Sequence, residues 1–211
     1  LWVSYSVNKE DMWISRIPVP VEINASAHAD DDFSKNKSIA ELTDWNIYSP
    51  VWAPVSLEDQ WLKLQDKDPF DYAKVERKIP ASKELKVSFD LKAGQNNKGT
   101  LQIEFLDENG IACSRIELTD DGIFRLKGGS RFANMMKYEA GKVYHVEAVL
   151  STVDRNIQVY VDGKRVGLRM FYAPVAAVER IVFRTGVPRT FPTVDTPADQ
   201  TYDLPNAGAQ D

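Results

Sequence analysis

The stretch from Lys142 to Val166 restricts the fold of this chain more than any other segment. Tyr144, Val146, Ala148 and Leu150 alternate with more polar neighbours, as a strand with one dry face requires. After the short break Thr152-Val153-Asp154, Ile157, Val159 and Val161 repeat the pattern. Asp162-Gly163 then offers a turn that needs positive φ, and Lys164-Arg165-Val166 starts back. The same alternation sets Leu85, Val87, Phe89 and Leu91 against Glu84, Lys86, Ser88 and Asp90, and recurs at Leu101, Ile103 and Phe105. Alternation of this kind leaves one face dry and one wet, which excludes a parallel α/β core and predicts antiparallel sheets.

From Trp52 on, the candidate strands in full are Trp52–Leu57, Trp61–Gln65, Ala73–Ile79, Glu84–Ala93, Thr100–Asp107, Ile111–Leu118, Gly122–Lys127, Val143–Ser151, Asn156–Asp162, Leu168–Phe171 and Val178–Arg184. Turn residues separate them at Asp66-Lys-Asp-Pro69, Gly94-Gln-Asn-Asn97, Asp107-Glu-Asn-Gly110 and Asp120-Asp-Gly122. Short strands at this spacing predict an all-β fold, an antiparallel two-sheet jelly-roll sandwich. No helix longer than about two turns is expected, and Ser38–Leu42 is the best helical candidate. Two further strands, Leu1–Val7 and Met12–Ile17, form a first unit over residues 1–25, closed by Pro18-Val-Pro-Val21, where proline has no N–H to give to a ladder. Residues 26–211 then hold the sandwich, with an extended C-terminal tail carrying Pro188, Pro192, Pro197 and Pro205. Because Leu1–Val7 already reads as the inside of a sheet, the sequence is expected to be a piece of a longer polypeptide.

At 211 residues the chain can bury a core without disulfides or metals. Its net charge of −5, with no basic run interleaved with aromatics, excludes nucleic acid and anionic membranes as expected partners. No apolar run reaches the roughly 18 residues a spanning helix needs. Cys113 is the sole cysteine, expected as a buried, inert thiol.

Four segments carry a resemblance. The "YVDG" strand end at Tyr160–Gly163, after a strand with an aromatic-x-Val pattern, resembles laminin-G and concanavalin-like jelly rolls. Trp2–Pro20 resembles the last blade of BNR-repeat, sialidase-like β-propellers, with Ser6, Asn8, Glu10 and Trp13 at the positions of the Asp-box repeat, two of the four in agreement and the turn glycine lost. Trp45–Val55 resembles the opening of the jelly roll that follows such a propeller, and Phe183–Gly186 with Pro192–Pro197 and Asp203–Asn206 resembles its end. The resemblance implies a secreted or periplasmic bacterial sialidase-like protein, with the propeller of the same polypeptide as a partner and a glycan as possible ligand. No catalytic residue carries over, because sialidase chemistry is spread over several blades.

Candidate sites follow from chemistry. Trp45, Tyr48, Trp52 and Trp61 cluster within 17 residues, and sugars stack their C–H faces on such rings. Core packing competes as an explanation; it is favoured for Trp45 and Trp52, and evenly matched for Tyr48 and Trp61. Asp66, Asp68 and Asp71, or Asp30-Asp31-Asp32, could hold a structural calcium, though acidic turns are commoner. Otherwise no metal or cofactor is expected, since His28 and His145 each stand alone. The acidic spacing nearest to that of jelly-roll glycosidases is Glu104-Phe-Leu-Asp107-Glu108, but Glu104 and Asp107 fall on opposite strand faces. Arg165, Arg169, Arg180, Arg184 and Arg189 could clamp a sugar carboxylate or simply be a solvated face. The functions these features allow are a non-catalytic accessory sandwich of a sialidase-like glycosidase, a carbohydrate-binding module gripping polysaccharide by its aromatics, or a jelly-roll hydrolase.

Overall fold

The alternating segments form antiparallel strands that stack as two sheets. The computed structural model describes residues 2–7, 11–16, 29–67 and 71–186. The larger sheet has seven strands: β3 (Trp45–Tyr48), β6 (Lys74–Ser82), β8 (Leu101–Leu106), β9 (Ala112–Leu118), β10 (Ile123–Gly128), β11 (Arg131–Lys137) and β15 (Val178–Thr185). Their spatial order is β11-β10-β9-β8-β15-β6-β3. The smaller sheet runs β14-β13-β12-β7, from β7 (Glu84–Lys92), β12 (Val143–Ser151), β13 (Asn156–Val161) and β14 (Lys164–Met170). Two hairpins pair separately, β1 (Trp2–Val7) with β2 (Asp11–Arg16), and β4 (Val55–Glu58) with β5 (Trp61–Leu64). The all-β antiparallel jelly-roll expectation is met.

Cross-strand register explains the core. Residues opposite one another in an antiparallel ladder share a face. Ile47, Val75 and Phe183 continue through Ile103, Ile116, Leu126 and Ala133 as one inward row across all seven strands. Tyr144, Val146, Ala148 and Leu150 face them from β12, beside Ile157, Val159 and Val161 of β13, all buried. Four strands cannot cover seven. At the β3–β6 end the hairpin β4–β5 covers the remainder, and Ala53, Val55, Ala73 and Val75 form a second core with Leu62, Leu64 and Trp45 around it. Arg77, on the inner side there, is held by Asp31 (Nε to Oδ2, 2.9 Å) and Asp44 (Nη2 to Oδ2, 3.3 Å) of the segment packed over it.

The turn at Asp162-Gly163 has φ of 50° and 77°, which is the two-residue hairpin its sequence predicts. Other boundaries moved. Ser38–Leu42 makes a single 3-10 turn at Ile39–Glu41 instead of an α-helix. Trp52 lies in a turn rather than a strand, with Ala53 N–H donating to the Pro50 carbonyl at 3.2 Å, because two prolines flank it. β3 and β11 were not among the candidate strands. The Asp-box residues Asn8 and Glu10, His28, Asp68, Arg189 and the proline-rich tail lie outside the described residues. Among the described residues no helix is long and apolar enough to cross a membrane.

Candidate functional site

The outward side of the seven-stranded sheet carries two polar rows, one step of two residues apart. The first runs from β3 to β15 through Tyr48, Lys74 and Arg184, and from β8 to β11 through Gln102, Glu117, Arg125 and Asn134. The second runs Asn46, Glu76, Val182, then Glu104, Arg115, Lys127 and Phe132. At about 4.8 Å between strands, each row is about 29 Å long.

The centre of this face is polar yet withdrawn from solvent. Gln102 is 2% exposed and Glu117 3%, and Glu76 and Glu104 are buried as well. Buried carboxylates need partners, and each has one. Arg115 donates to Glu104 Oε1 from Nε at 2.8 Å and Nη2 at 2.6 Å. Arg125 pairs with Glu117. Glu76 receives Lys74 Nζ at 2.9 Å, and Arg180 Nη1 lies 3.5 Å away. Arg180 also donates to the Glu108 carbonyl at 2.6 Å. The side-chain atoms Gln102 Oε1 and Arg125 Nε are buried without a hydrogen-bond partner.

Aromatic rings stand at both ends of the rows. At the β3 end the Tyr48 and Tyr72 ring centroids are 5.0 Å apart, and the Arg184 guanidinium lies 4.0 Å from the Tyr72 centroid. At the β11 end Arg125 stacks 4.2 Å from the Phe132 centroid, while Lys127 Nζ lies 5.2 Å from Phe132 and 5.1 Å from Tyr172. Desolvation by burial pushes the Tyr172 hydroxyl up to about 12, so it stays neutral. Rings beside charged donors and acceptors on a broad flat surface can stack sugar faces and hydrogen-bond hydroxyls. Glu104 and Glu117 sit diagonally on adjacent strands. Each is paired with an arginine, Glu104 with Arg115 and Glu117 with Arg125.

The structure disperses the aromatic cluster predicted from sequence. Tyr48 lies at the end of the first outer row, its hydroxyl donating to Asp71 Oδ1 at 3.0 Å. Trp52 is 65% exposed, which corrects the core role favoured for it. Trp61 is half-buried at the start of β5. Trp45 faces inward, its ring 5.9 Å from Phe33 and 6.4 Å from Phe183, so it has no open face for a sugar. Of the calcium candidates, Asp66 is wholly buried and accepts from the Thr185 hydroxyl at 3.0 Å, while Asp71 accepts from Tyr48 and from the Tyr72 amide at 2.9 Å. Asp32 caps Ser34 and Asp31 pairs with Arg77. Among the described residues no group of three or more His, Cys, Asp and Glu is placed to hold a metal. Asp107 accepts from the Asn109 and Ile111 amides at 2.9 and 2.8 Å, closing the turn expected there. His145 is exposed, with Nδ1 2.7 Å from Asp90 Oδ1. Cys113 is buried, and desolvation raises its thiol to about 12. Arg180 and Arg184 join the outer rows, whereas Arg165 and Arg169 belong to β14 of the other sheet. The sequence reading missed Arg115, Arg125, Lys127, Phe132, Tyr72 and Tyr172. Their polar alternation was visible, but only the register aligns them.

This fold and face define a class. The family model of the sialidase-like, CBM domain matches residues 45–200, and the chain belongs to that family. A solved structure described as a sialidase is 89% identical, superposes with a TM-score of 0.85, and is covered over 20% of its own chain by 100% of this one. The chain therefore spans about one fifth of that sialidase. An apo Crh5 transglycosylase, 12% identical, superposes with a TM-score of 0.62 over 88% of this chain and 80% of its own, a likeness of fold alone. No curated protein sequence matches the chain.

Proposed function

We propose that this chain is a non-catalytic, carbohydrate-binding accessory sandwich of a larger sialidase-like glycosidase that is secreted or periplasmic. The outer face of the seven-stranded sheet holds the glycan. The observation that carries this reading is the pair of cross-strand rows, polar but withdrawn from water and bounded by rings at both ends. Membership in a sialidase-like CBM family supports the ligand class, and the one-fifth coverage of a sialidase supports further domains in the same polypeptide. Tyr48 and Trp52 are the sugar-stacking rings retained from the predicted cluster, while Trp61, on the hairpin over the inner side of the sheet, and Trp45 support them from within. The hairpin of residues 1–25 belongs with a neighbouring propeller, and residues 26–211 form the binding unit.

Affinity electrophoresis of the 211-residue chain through gels containing soluble polysaccharides tests the reading. Retardation is expected in at least one gel, reduced about fivefold by Tyr48→Ala, as loss of one stacking ring costs roughly 1 kcal/mol. His145→Ala, on the opposite sheet, should migrate like the parent chain. Equal loss from both substitutions, or no retardation in any gel, would remove the outer face as the site.

A further inference from the structure

We infer that the glycan is acidic, and that its carboxylates are received where β9, β10 and β11 meet, by Lys127 and Arg125 between the rings of Phe132 and Tyr172. The inference rests on the outer face being the glycan site. Three observations lead to it.

The first is sign. The chain carries a net charge of −5, yet the outer rows invert it. Lys74, Arg184, Arg115, Arg125, Lys127 and Arg180 stand on this face with Glu76, Glu104 and Glu117, and with Asp71 at the Tyr48 end, so cations outnumber carboxylates. A cation surplus concentrated on one face of an acidic protein attracts anions there by steering as well as by contact.

The second is the state of each charge. The three glutamates are spent on Lys74, Arg180, Arg115 and Arg125. Lys127 has no carboxylate within 4.0 Å among the described residues: its row neighbours are Arg115 and Phe132, and Glu104, the next acid in the row, is paired with Arg115. Its ammonium instead lies about equally far from two ring centroids, 5.1 and 5.2 Å. Aromatic faces stabilise a cation but do not neutralise it. An incoming carboxylate would supply the missing counter-charge.

The third is the adjoining hydrogen-bond capacity. Arg125 gives Nη2 to Glu117, while its Nε, turned away from solvent, has no acceptor. Across from Glu117 in the same row, Gln102 is 2% exposed and its Oε1 has no donor. Unsatisfied buried polar atoms are few in folded proteins. Here they lie on either side of Glu117, in the row next to the one that holds Lys127. A sugar acid offers a charged acceptor to the solvent-facing part of the Arg125 guanidinium, beyond the buried Nε. A neutral sugar offers hydroxyl acceptors but no negative charge.

Calorimetric titration of the full chain with oligogalacturonate, and with the same oligomers after carboxyl reduction to oligogalactose, tests the inference. Charge-assisted hydrogen bonds predict about tenfold or more tighter binding of the acid form, an advantage that shrinks as salt is added. Lys127→Gln should remove most of that advantage, Lys127→Arg should keep it, and Lys86→Gln on the smaller sheet should leave it unchanged. The oligogalactose affinity of Lys127→Gln serves as the folding control. Equal affinity for the two oligomers would overturn the acidic ligand and leave a glycan-binding face standing. Failure of both oligomers and of every neutral polysaccharide would overturn the two readings together. Tighter binding of a heparin fragment or of a single-stranded oligonucleotide would replace the carboxylate by a sulfate or phosphate ligand.

Discussion

The two sheets turn very different outer surfaces to water, although their sequences alternate alike. On the smaller sheet Glu84, Lys86, Ser88 and Asp90 project from β7 and all are exposed. Their pairs are loose: Lys86 meets Glu147 at 2.7 Å with 65% of the lysine side chain exposed, and His145 meets Asp90 with both more than half exposed. On the larger sheet the outward Gln102, Glu104 and Glu117 are buried beneath arginine arms and neighbouring strands. The first is a solvated surface whose ion pairs add little. The second is a connected polar layer, desolvated before any ligand arrives, where each charge depends on its partner. Sites that bind polar ligands well are commonly of the second kind, because the cost of ordering and drying has already been met in folding.

The largest test of that contrast removes one arm from each sheet. Arg115→Met leaves the Glu104 carboxylate buried without its partner, and urea unfolding should show a loss of about 3 kcal/mol. Lys86→Met should lose less than about 1 kcal/mol. Similar losses from both would erase the distinction between the faces. A second test uses alkaline pH. Burial raises Tyr138 and Tyr172 from an ordinary 10.0 to about 12, and Cys113 from 9.0 to about 12. Groups held protonated by the fold give their full contribution below the unfolded value and lose it as pH rises through the folded one. Stability should therefore hold to about pH 9 and fall progressively toward pH 12, with tyrosinate absorbance from these two rings lagging behind that of exposed tyrosines. A pH-independent midpoint across that window would contradict it. The smallest effect belongs to the open sheet: His145→Ala should change stability by no more than about 0.5 kcal/mol, as expected for an exposed pair. A larger change would mean that this face too is an organised layer.

The fold was legible wherever alternation met turn chemistry. Val143–Ser151, Asn156–Val161 and the Asp162-Gly163 turn combine both signals, and the structure keeps them within a residue. β11 escaped notice because Arg131-Phe-Ala-Asn-Met-Met-Lys137 sets two methionines together, and the register shift between Phe124 and Arg125 absorbs the irregularity. Trp52 misled because a large ring reads as core, while the prolines at positions 50 and 54 bend the backbone outward. The outer rows were the least legible part. Gln102, Glu117 and Arg125 are 15 and 8 residues apart along the chain, and each alone looks like the wet side of a strand. Only pairing register joins them, and it is set by the turns at Asp107–Gly110 and Asp120–Gly122, whose geometry polar alternation alone does not reveal.

β15 has a consequence for how the molecule assembles. This last described strand lies in the interior of its sheet, between β8 and β6, and Thr185 at its end ties Asp66 and the Ala73 amide together. Before residues 178–185 arrive, β6 with β3 and β8 with its neighbours are two separate ribbons with bare edges. Nascent chains must keep those edges apart until residues 178–185 have emerged, a non-local pairing of the kind associated with slow folding. A stop codon ahead of Val178 would yield two sticky half-sheets prone to clumping rather than a shortened sandwich.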